Sequence, residues 1–432
     1  MIRLFDFDKV PISDILTRGI LAEENVDAAV DAVLSAVRAE GDVALRSYEK
    51  QFDGAELDDL FVTEAELDAA EAQVDPELLE TLRQAAENIR AFHSRQIHND
   101  FVLTDKPGVV MGQRYTPIES VGVCVPGTPV AFPSTVLMDV IPAKLAGVRE
   151  ILMATPPAPD GTIAPAALAA ARIAGVTKIL KCGGAQAVAA MAYGTESVPK
   201  VDKIVGPGGV YVAAAKRKVF GLVSIDMIAG PSEILVLADG KSDPRWVAAD
   251  MLSQAEHDRL SSAVLVTDSR ALAEAVRDEL EVQLETLPRR EVARASIDNN
   301  GKIIITDSLE KAAEAANRIA PEHLELCVDE PFALLPRIRN AGSVFLGRNA
   351  PEALGDYFAG PNHTLPTAGT ARFSSPLSVD DFVKKSSFLY YTGEALQSVS
   401  SRIQSFARQE GLEAHARAIA VRDQRNGKGS AQ

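Results

Sequence analysis

The sequence predicts an α/β protein with parallel-rich sheets, and three observations support this fold class. From about residue 121, short apolar runs of strand length alternate with longer helical stretches. Glycine-rich turns follow several of the predicted strands. A block of amphipathic helices precedes the alternating region. Because strand–helix alternation places helices on both faces of a sheet, we expect the strands to be parallel and buried.

The N-terminal block is predicted to be helical. Apolar residues recur at helical spacing over residues 26–37, and Gly41 marks the end of that helix. Thr63 and Glu66 are spaced as a capping box. A proline at residue 76, directly after an aspartate, begins another long helix. This block therefore predicts a helical layer before the first sheet.

The alternating region extends to about residue 346 and is long enough for two sheets. Strands are predicted at residues 121–125, 151–154, 178–182, 203–205, 234–238, 263–267, 303–306, 324–328 and 343–346. Helices are predicted at residues 134–146, 164–174, 185–192, 210–218, 245–257, 269–284 and 309–319.

The C-terminal tail has a different pattern. Helices are predicted at residues 394–408 and 412–422, with Gly411 between them as a helix-ending residue. A segment this small cannot bury its own apolar face. We therefore expect the tail to pack on another lobe or on another subunit.

Composition narrows the function classes. The chain of 432 residues is 47% hydrophobic and 24% charged, the balance of a soluble globular enzyme. A net charge of −16 argues against nucleic acid as a partner, because its phosphates would be repelled. No secretory signal and no membrane-spanning stretch is predicted, so we expect a cytoplasmic protein. Cys124, Cys182 and Cys327 form no CxxC pair and are interpreted as reduced core residues.

Three glycine-rich turns, at residues 126–128, 183–186 and 206–209, are candidates for ligand contact. In open parallel sheets, ligands bind beyond the carboxyl ends of strands, where glycine lets them approach the backbone. None of the turns is a GxGxxG fingerprint, so the pattern alone is weak evidence for a nicotinamide cofactor. The alternative is that these glycines only make tight strand-to-helix turns.

Gln254 and His257 form the first candidate for a metal site. On the helix predicted at residues 245–257, their side chains share one face and can present an amide oxygen and an imidazole nitrogen to one point. The same pair also occurs on the solvated face of ordinary helices.

The remaining histidines strengthen the interpretation of a single assembled site. Two of the 6 histidines end the N-terminal block, have no acidic cluster around them and are interpreted as surface residues. The other four lie in short polar segments, which predicts one site built from distant parts of the chain. The two histidines interpreted as surface residues are His93 and His98. The four in polar segments are His257, His323, His363 and His415.

Glu322 and His323 follow a proline and place a carboxyl group beside an imidazole. Proton transfer near neutral pH uses such pairs. In isolation, however, a Glu-His pair is also common as a structural surface element.

With these motifs in place, the chain resembles the histidinol dehydrogenase family from about residue 18 to residue 417. The motifs occur in the order that the family has. They are PSTVLM at 133–138, GGAQA at 183–187, DMIAGPSE at 226–233, SQAEHD at 253–258, PEHLE at 321–325, GPNH at 360–363, GTARF at 369–373 and EGL at 410–412.

The resemblance implies a zinc site and a catalytic pair. His323 is implied as the general base for the substrate hydroxyl, and Glu322 as the group that activates water for a second oxidation. Glu410 and His415 are implied to reach the site from the partner subunit of a homodimer. The implied zinc ligands are Gln254, His257, Asp356 and His415. The implied substrate contacts are Ser232, Gln254, His257, His323, Asp356, His363, Glu410 and His415.

The resemblance also implies two incomplete Rossmann-like domains, one inserted in the other, with helical terminal extensions and an intertwined homodimer. The implied N-terminal extension covers residues 1–20. The first domain covers 21–124 and 232–376, the inserted domain 125–231, and the C-terminal helical tail 377–432.

The positions implied for NAD binding are Cys124, Gln186 and Gly209. A tyrosine is common in the family at the first position and an asparagine at the third. Loss of the ring and of the amide removes a stacking surface and hydrogen bonds, together roughly one to a few kcal/mol, so weaker nicotinamide binding is expected.

The implied activity is the NAD-dependent oxidation of L-histidinol to L-histidine through bound L-histidinal, the last step of histidine biosynthesis, with one Zn²⁺ per subunit. The nearest alternative is a paralogue that oxidises another small alcohol, such as a sulfonated diol; the Glu410 carboxylate argues against a sulfonate. A zinc hydrolase is the alternative from another class, although neither HExxH nor a nucleophile elbow occurs. A non-catalytic binding protein would require a broken ligand set.

Overall fold

The structure, a computed structural model, describes residues 2–11, 13, 15, 26–127 and 131–426. Within the predicted N-terminal extension, residues 1, 12, 14 and 16–20 lie outside the described residues, as does Thr128 of the first glycine turn. The chain divides into two compact units, one formed by Met1–Gln96 with Ile118–Phe382 and the other by Ile97–Pro117 with Val383–Gln432.

Strands and helices are numbered here in chain order. The strands are β1 (Arg3–Asp6), β2 (Phe101–Leu103), β3 (Val109–Pro117), β4 (Ser120–Cys124), β5 (Glu150–Thr155), β6 (Lys178–Lys181), β7 (Lys203–Val205), β8 (Ser224–Ile225), β9 (Glu233–Ala238), β10 (Ser262–Thr267), β11 (Lys302–Ile305), β12 (His323–Cys327), β13 (Ser343–Leu346) and β14 (Val383–Tyr391).

The helices are α1 (Val26–Glu40), α2 (Asp42–Phe52), α3 (Glu64–Glu71), α4 (Pro76–His93), α5 (Pro133–Ala146), α6 (Pro165–Ala174), α7 (Gly184–Tyr193), α8 (Val210–Val219), α9 (Pro244–Ala255), α10 (Arg270–Leu284), α11 (Arg290–Asn300), α12 (Leu309–Ile319), α13 (Pro331–Leu334), α14 (Glu352–Leu354), α15 (Gly393–Gln409) and α16 (Glu413–Asn426). None of them combines the length and the apolar character needed to cross a bilayer.

The first unit contains two sheets whose neighbouring strands all run parallel. One has six strands in the order β1-β11-β10-β9-β12-β13, and the other has five in the order β6-β5-β4-β7-β8. Strands β9 to β13 are arranged as β11-β10-β9-β12-β13, and strands β4 to β8 are arranged in the same way as β6-β5-β4-β7-β8. In each sheet the strand order therefore reverses at one neighbouring pair, β9 with β12 and β4 with β7. The predicted α/β class with parallel-rich sheets is therefore confirmed.

Continuous apolar burial explains why these strands are predictable. All six residues of β9 and all six of β10 are buried, as expected for strands covered by helices on both faces. The predicted helix signals are also present: Thr63 and Glu66 form a reciprocal capping box, and Pro76 opens α4. The three cysteines are free and buried, as predicted.

The second unit contains an antiparallel three-stranded sheet in the order β14-β3-β2, together with α15 and α16. The two tail helices are confirmed, and Gly411 between them adopts a left-handed φ of 77°. The sheet was not predicted, because β14 reads VKKSSFLYY and shows neither a long apolar run nor strict alternation.

Two sequence interpretations are wrong. Helix α9 ends at Ala255 rather than at His257, and the His257 amide donates instead to the carbonyl oxygen of Gln254 at 3.2 Å. A tight turn at the helix end therefore relates the two candidate ligands. His93 is fully buried, with Nδ1 2.7 Å from Oε1 of Gln96, whereas it was interpreted as a surface residue.

A buried ion pair lies where β7 of the five-stranded sheet ends. The side chains of Lys216 on α8 and Asp226 are 2% and 1% exposed and contact each other. Lys216 Nζ also donates to the Gly206 carbonyl oxygen at 2.9 Å, and the Gly206 amide donates to Asp226 Oδ2 at 2.8 Å. Both charges are thus paired and hydrogen-bonded, as burial requires.

Substituting Lys216→Met should lower the free energy of unfolding by about 3–5 kcal/mol, because it leaves the Asp226 carboxylate buried without its partner. Adding Asp226→Leu should restore a large part of that loss. Urea denaturation followed by circular dichroism measures both effects. Lys218→Met on the same helix removes only exposed ion pairs and should cost at most about 1 kcal/mol. Equal losses for the two lysine variants would contradict the role given to the buried pair.

Candidate functional site

The predicted catalytic pair lies where β12 begins. Helix α12 ends at Ala320, whose left-handed φ of 51° turns the chain before Pro321. In the parallel register, His323 is paired with Ile234 of β9, so Glu322 and His323 lie beside Glu233 and Ile234, and Ser232 directly precedes β9. The pair therefore sits at the amino ends of two central strands, whereas ligands of open parallel sheets ordinarily bind beyond the carboxyl ends.

The backbone of Glu233 holds both members of this pair. Its amide donates to Oε2 of Glu322 at 2.7 Å, and its carbonyl oxygen lies 2.9 Å from Nδ1 of His323. A carbonyl oxygen only accepts, so Nδ1 of His323 must carry a proton. In the neutral ring, Nε2 is then the basic nitrogen. This atom is buried, has no hydrogen-bond partner among the described residues and lies 3.5 Å from Oδ1 of Asp356.

The local electrostatics favour proton uptake by this pair. Burial raises the pKa of Glu322 to about 8. Burial lowers the pKa of His323, but the Glu322 and Asp356 carboxylates outweigh it and raise that pKa to about 10. Nδ1 of His323 and Oε2 of Glu322 are 3.6 Å apart, so the carboxylate stabilises the protonated ring. Nε2 can accept a proton from another molecule only in the form in which the ring is neutral.

Asp356 and His363 lie on the segment that follows β13. Asp356 belongs to a π-helical turn, Gly355–Ala359, a type of distortion that is frequent at functional sites. Burial raises the pKa of Asp356, but the His323 contact and the nearby imidazoles hold it well below its usual range. Nδ1 of His363 lies 3.0 Å from the Asp356 carbonyl oxygen, which fixes this ring as well.

Helix α9 brings its C-terminal end to the same region. Ser253 Oγ donates to Oε2 of Glu352 at 2.9 Å, and ligand atoms of His323, Glu352 and Asp356 all lie within 4.8 Å of one another. His257 is exposed at its surface, and its pKa is lowered because desolvation of the ring outweighs the opposing Asp356 charge.

The donor atoms of this region fit a divalent cation. Gln254 is 1% exposed, and its buried Oε1 has no hydrogen-bond partner among the described residues. Such an atom costs stability unless something binds it. An amide oxygen of Gln254, an imidazole nitrogen of His257 and a carboxylate oxygen of Asp356 are ligand types that Zn²⁺ accepts.

Glu352 and Glu325 were missed by sequence reasoning. Glu325 Oε1 accepts the Glu352 amide at 2.7 Å, and burial followed by the Asp356 charge raises the pKa of Glu352 to about 8. Glu325 also interacts with Asp250 on α9, and burial raises the pKa of both carboxyls. The glutamate of the PEHLE motif was the only available signal, since nothing in the sequence points to Glu352.

The three positions implied for the cofactor have different environments. Cys124 ends β4 and is 6% exposed, and burial raises its pKa to about 12. Gln186 is 2% exposed, and its amide nitrogen donates to Glu49 at 3.0 Å. Gly209 precedes α8 and is exposed, and a Cβ there would meet no atom within 4 Å. Only Gly209 thus offers a surface open to a ligand in this state of the chain.

Glu410 and His415 belong to the second unit. Glu410 follows α15 as its C-cap residue, and His415 lies in the first turn of α16. Both side chains are exposed. The first unit alone supplies Ser232, Gln254, His257, His323, Asp356 and His363.

Comparisons with known proteins identify the family of this chain. A family model described as histidinol dehydrogenase matches residues 16–423. The histidinol dehydrogenase of Halalkalibacterium halodurans is 54% identical over 415 residues, which cover 96% of this chain and 97% of that protein. The histidinol dehydrogenase of Geobacillus kaustophilus is 56% identical over 400 residues, covering 93% of this chain and 94% of that protein.

The fold agrees as well. The crystal structure of histidinol dehydrogenase from Elizabethkingia anophelis superposes with a TM-score of 0.93 at 40% identity, covering 99% of each chain. The family match, the identity and the coverage together show that this chain belongs to the histidinol dehydrogenase family.

Proposed function

We propose that this chain catalyses the NAD-dependent oxidation of L-histidinol to L-histidine through bound L-histidinal, the last step of histidine biosynthesis, in the cytoplasm. The observation that carries the proposal is the state of His323. Its Nδ1 is held by the Glu233 carbonyl oxygen, while the buried Nε2 has no hydrogen-bond partner among the described residues. A fixed imidazole with a free basic nitrogen is what a general base for an alcohol proton requires.

Gln254, His257 and Asp356 would bind one Zn²⁺ per subunit, and His415 of the partner subunit would complete the set. When bound there, Zn²⁺ would supply a fixed point of attachment for the substrate without redox change, and NAD would supply the hydride acceptor for each oxidation. Ser232, His363 and Glu410 of the partner subunit would contact the rest of the substrate.

The residues of the catalytic pair then divide the proton transfers. In the first oxidation, Nε2 of His323 accepts the hydroxyl proton as the carbon–hydrogen bond breaks. In the second, Glu322 accepts a proton from the water that adds to the aldehyde carbon. Burial gives the Glu322 carboxylate its affinity for a proton near neutral pH. Retention of the aldehyde at the site protects a reactive intermediate from release.

The proposal includes the domain organisation and the homodimer implied by the family. The strand order of both parallel sheets supports two incomplete Rossmann-like domains. The family implies residues 125–231 as the domain inserted between 21–124 and 232–376, but β4 (Ser120–Cys124) pairs with β5 and β7, so the inserted domain would have to begin before residue 120. The N-terminal extension would cover residues 1–20. The tail, residues 377–432, would contribute to the active site of the partner. Its exposed apolar residues support this contact: Leu389, Tyr390, Ile403, Phe406, Leu412 and Val421.

The glycine turns of the five-stranded sheet support the nicotinamide cofactor. A Cβ on Gly183 would lie 2.8 Å from Pro156, and one on Gly184, at a φ of 60°, would lie 2.7 Å from Gln186. Close packing of the turn itself therefore requires these glycines, and the support for NAD comes from the position of the turn beyond the carboxyl end of β6. Among the proposed contacts Cys124, Gln186 and Gly209, the first two are buried, so their side chains would have to become accessible before they touch NAD.

Purified protein should form about two NADH per L-histidinol consumed, because each hydride needs its own acceptor. Absorbance at the nicotinamide band against limiting substrate measures the ratio, and a chelator should abolish turnover until Zn²⁺ is restored. Turnover of a sulfonated diol instead of histidinol would favour the paralogue. Ester cleavage without any absorbance change would favour a zinc hydrolase.

Substituting Gln254→Leu should change the free energy of unfolding differently in the metal-free and in the zinc-bound protein. Without metal, the variant should be more stable by about 1 kcal/mol, because an unsatisfied buried oxygen is removed. With Zn²⁺ at roughly 100 times its dissociation constant, only the wild type should gain about 2.7 kcal/mol. Urea denaturation with chelator and with Zn²⁺ measures both. Gln283→Leu, whose amide is engaged by the Arg245 carbonyl, is the matched control. Zinc stabilisation that survives Gln254→Leu would remove this residue from the ligand set.

Mixed subunits test the shared site. The His323→Ala homodimer should bind Zn²⁺ but be inactive, and the His415→Ala homodimer should lack both properties. If the tail contributes His415 to the site of the partner subunit, a mixed dimer has one site that carries both substitutions, His323→Ala and His415→Ala. Its other site carries neither. Equal amounts of the two chains, unfolded and refolded together, should then recover about a quarter of wild-type activity. No recovery, although mixed dimers have formed, would show that each chain completes its own site.

A further inference from the structure

Helix α5, which belongs to the five-stranded sheet, holds the segment that carries His363. Asn362 Nδ2 donates to the Met138 carbonyl oxygen at 2.7 Å, and Thr364 Oγ1 donates to Asp139 Oδ1 at 2.6 Å. The residues on both sides of His363 are thus attached to adjacent residues of one helix turn. Asn362 Oδ1 also accepts the Thr364 amide at 2.8 Å, which closes the arrangement.

Asp139 occupies an unusual position for a carboxyl group. Its side chain is fully buried, and Oδ2 has no hydrogen-bond partner among the described residues. Burial raises its pKa to about 8, and the Asp226 charge acts in the same direction, while the Thr364 hydrogen bond and Lys216 oppose it. A buried polar atom without a partner costs stability, so this carboxyl group needs an explanation beyond packing.

The position of Asp139, between a sheet edge and the segment that carries His363, supplies that explanation. A Cβ on Gly206 would lie 2.9 Å from Asp139 Oδ2 and 2.2 Å from the Cys124 carbonyl oxygen. Cys124 ends β4 and Gly206 follows β7, and these neighbouring strands are the pair at which the strand order reverses. Asp139 therefore lies between the carboxyl edge of the five-stranded sheet and the His363 segment.

We propose that Asp139 is a positioning residue for the substrate site, acting through Thr364 to fix the imidazole of His363. This inference rests on the proposed function, because it assigns His363 to the substrate. The imidazole is held by Nδ1, 3.0 Å from the Asp356 carbonyl oxygen, and a rotation of the backbone at His363 would break this contact. The Thr364 and Asn362 bonds prevent that rotation at both neighbours.

The hydroxyl of Thr364 is the part that can be removed most cleanly. Thr364→Val keeps the shape of the side chain and removes the donor, whereas Thr364→Ser keeps the donor. Asp139→Leu removes the acceptor, whereas Asp139→Asn keeps an oxygen at the same place. Thr306→Val is the matched control, because Thr306 is also buried and donates its hydroxyl to Ser308, at the end of β11.

Kinetics of the zinc-loaded enzyme test the proposal. We expect Thr364→Val and Asp139→Leu to raise KM for L-histidinol about 10- to 100-fold, with a smaller change in kcat and in KM for NAD. Thr364→Ser and Asp139→Asn should stay within about threefold of wild type, and zinc content should not change in any variant. A KM for histidinol that is unchanged in Thr364→Val, or raised equally in Thr306→Val, would overturn the proposal.

A second measurement keeps this test separate from the proposed activity. Amide hydrogen exchange over residues 356–365 should be faster in Thr364→Val and Asp139→Leu than in wild type and in Thr306→Val. If wild-type protein oxidises histidinol, exchange and KM should change together, and faster exchange with unchanged KM overturns the role. If wild-type protein does not oxidise histidinol, the proposed function fails, while exchange still decides whether Asp139 orders the segment.

Discussion

His323 donates its Nδ1 proton to the carbonyl oxygen of Glu233, and the chemistry of the site depends on that hydrogen bond. It selects the tautomer in which Nε2 is basic, and it fixes the ring plane relative to Asp356. The same residue, Glu233, donates its amide to Glu322, so one peptide segment at the start of β9 orients both proton acceptors. Parallel pairing of β9 with β12 is what places this segment there. A strand register, rather than a flexible loop, therefore determines the geometry of the catalytic pair.

In the first unit, the six-stranded sheet contributes the amino ends of its strands and the five-stranded sheet the carboxyl ends. The catalytic pair lies at the amino ends of β9 and β12, whereas the glycine turns follow the carboxyl ends of strands in the five-stranded sheet. At the carboxyl ends of β9 and β12, where an open sheet ordinarily binds a ligand, Arg348 bridges Asp239 and Asp329. That crevice is filled by ion pairs. Because its substrate edge and its glycine-rich edge belong to different sheets, the unit needs direct links between them, and Asn362 and Thr364 provide such links.

Sequence reasoning predicted the parts of the fold that depend on local pattern. The buried strands are apolar runs bounded by turn residues. Thr63 marks a helix start because its side chain accepts a backbone amide, and Pro76 because proline suits the first turn of a helix. Long-range relations were not accessible. Nothing near His93 indicates burial, because the elements that cover it are distant in sequence. The end of α9 before His257 has no proline or glycine to mark it. The helical spacing that suggested Gln254 and His257 as a pair therefore does not extend to His257.

The candidate site shows the same limit in a different form. Motifs carried His323 and Gln254 into the prediction, but they could not show that Cys124 and Gln186 are buried or that Glu352 lies beside Asp356. Those facts follow from packing between elements.

The buried atoms that lack hydrogen bonds are the more informative signal. Among the described residues they include Oε1 of Gln254, Nε2 of His323 and Oδ2 of Asp139, and each costs roughly 1–3 kcal/mol if nothing binds it. Two of these atoms line the proposed metal and substrate site, and the third supports the segment that carries His363. Atoms of this kind also occur away from the site, on Glu49, His93, Ser261 and Glu281. The argument for function therefore rests on where Gln254 and His323 lie, beside Glu352 and Asp356, rather than on the number of such atoms.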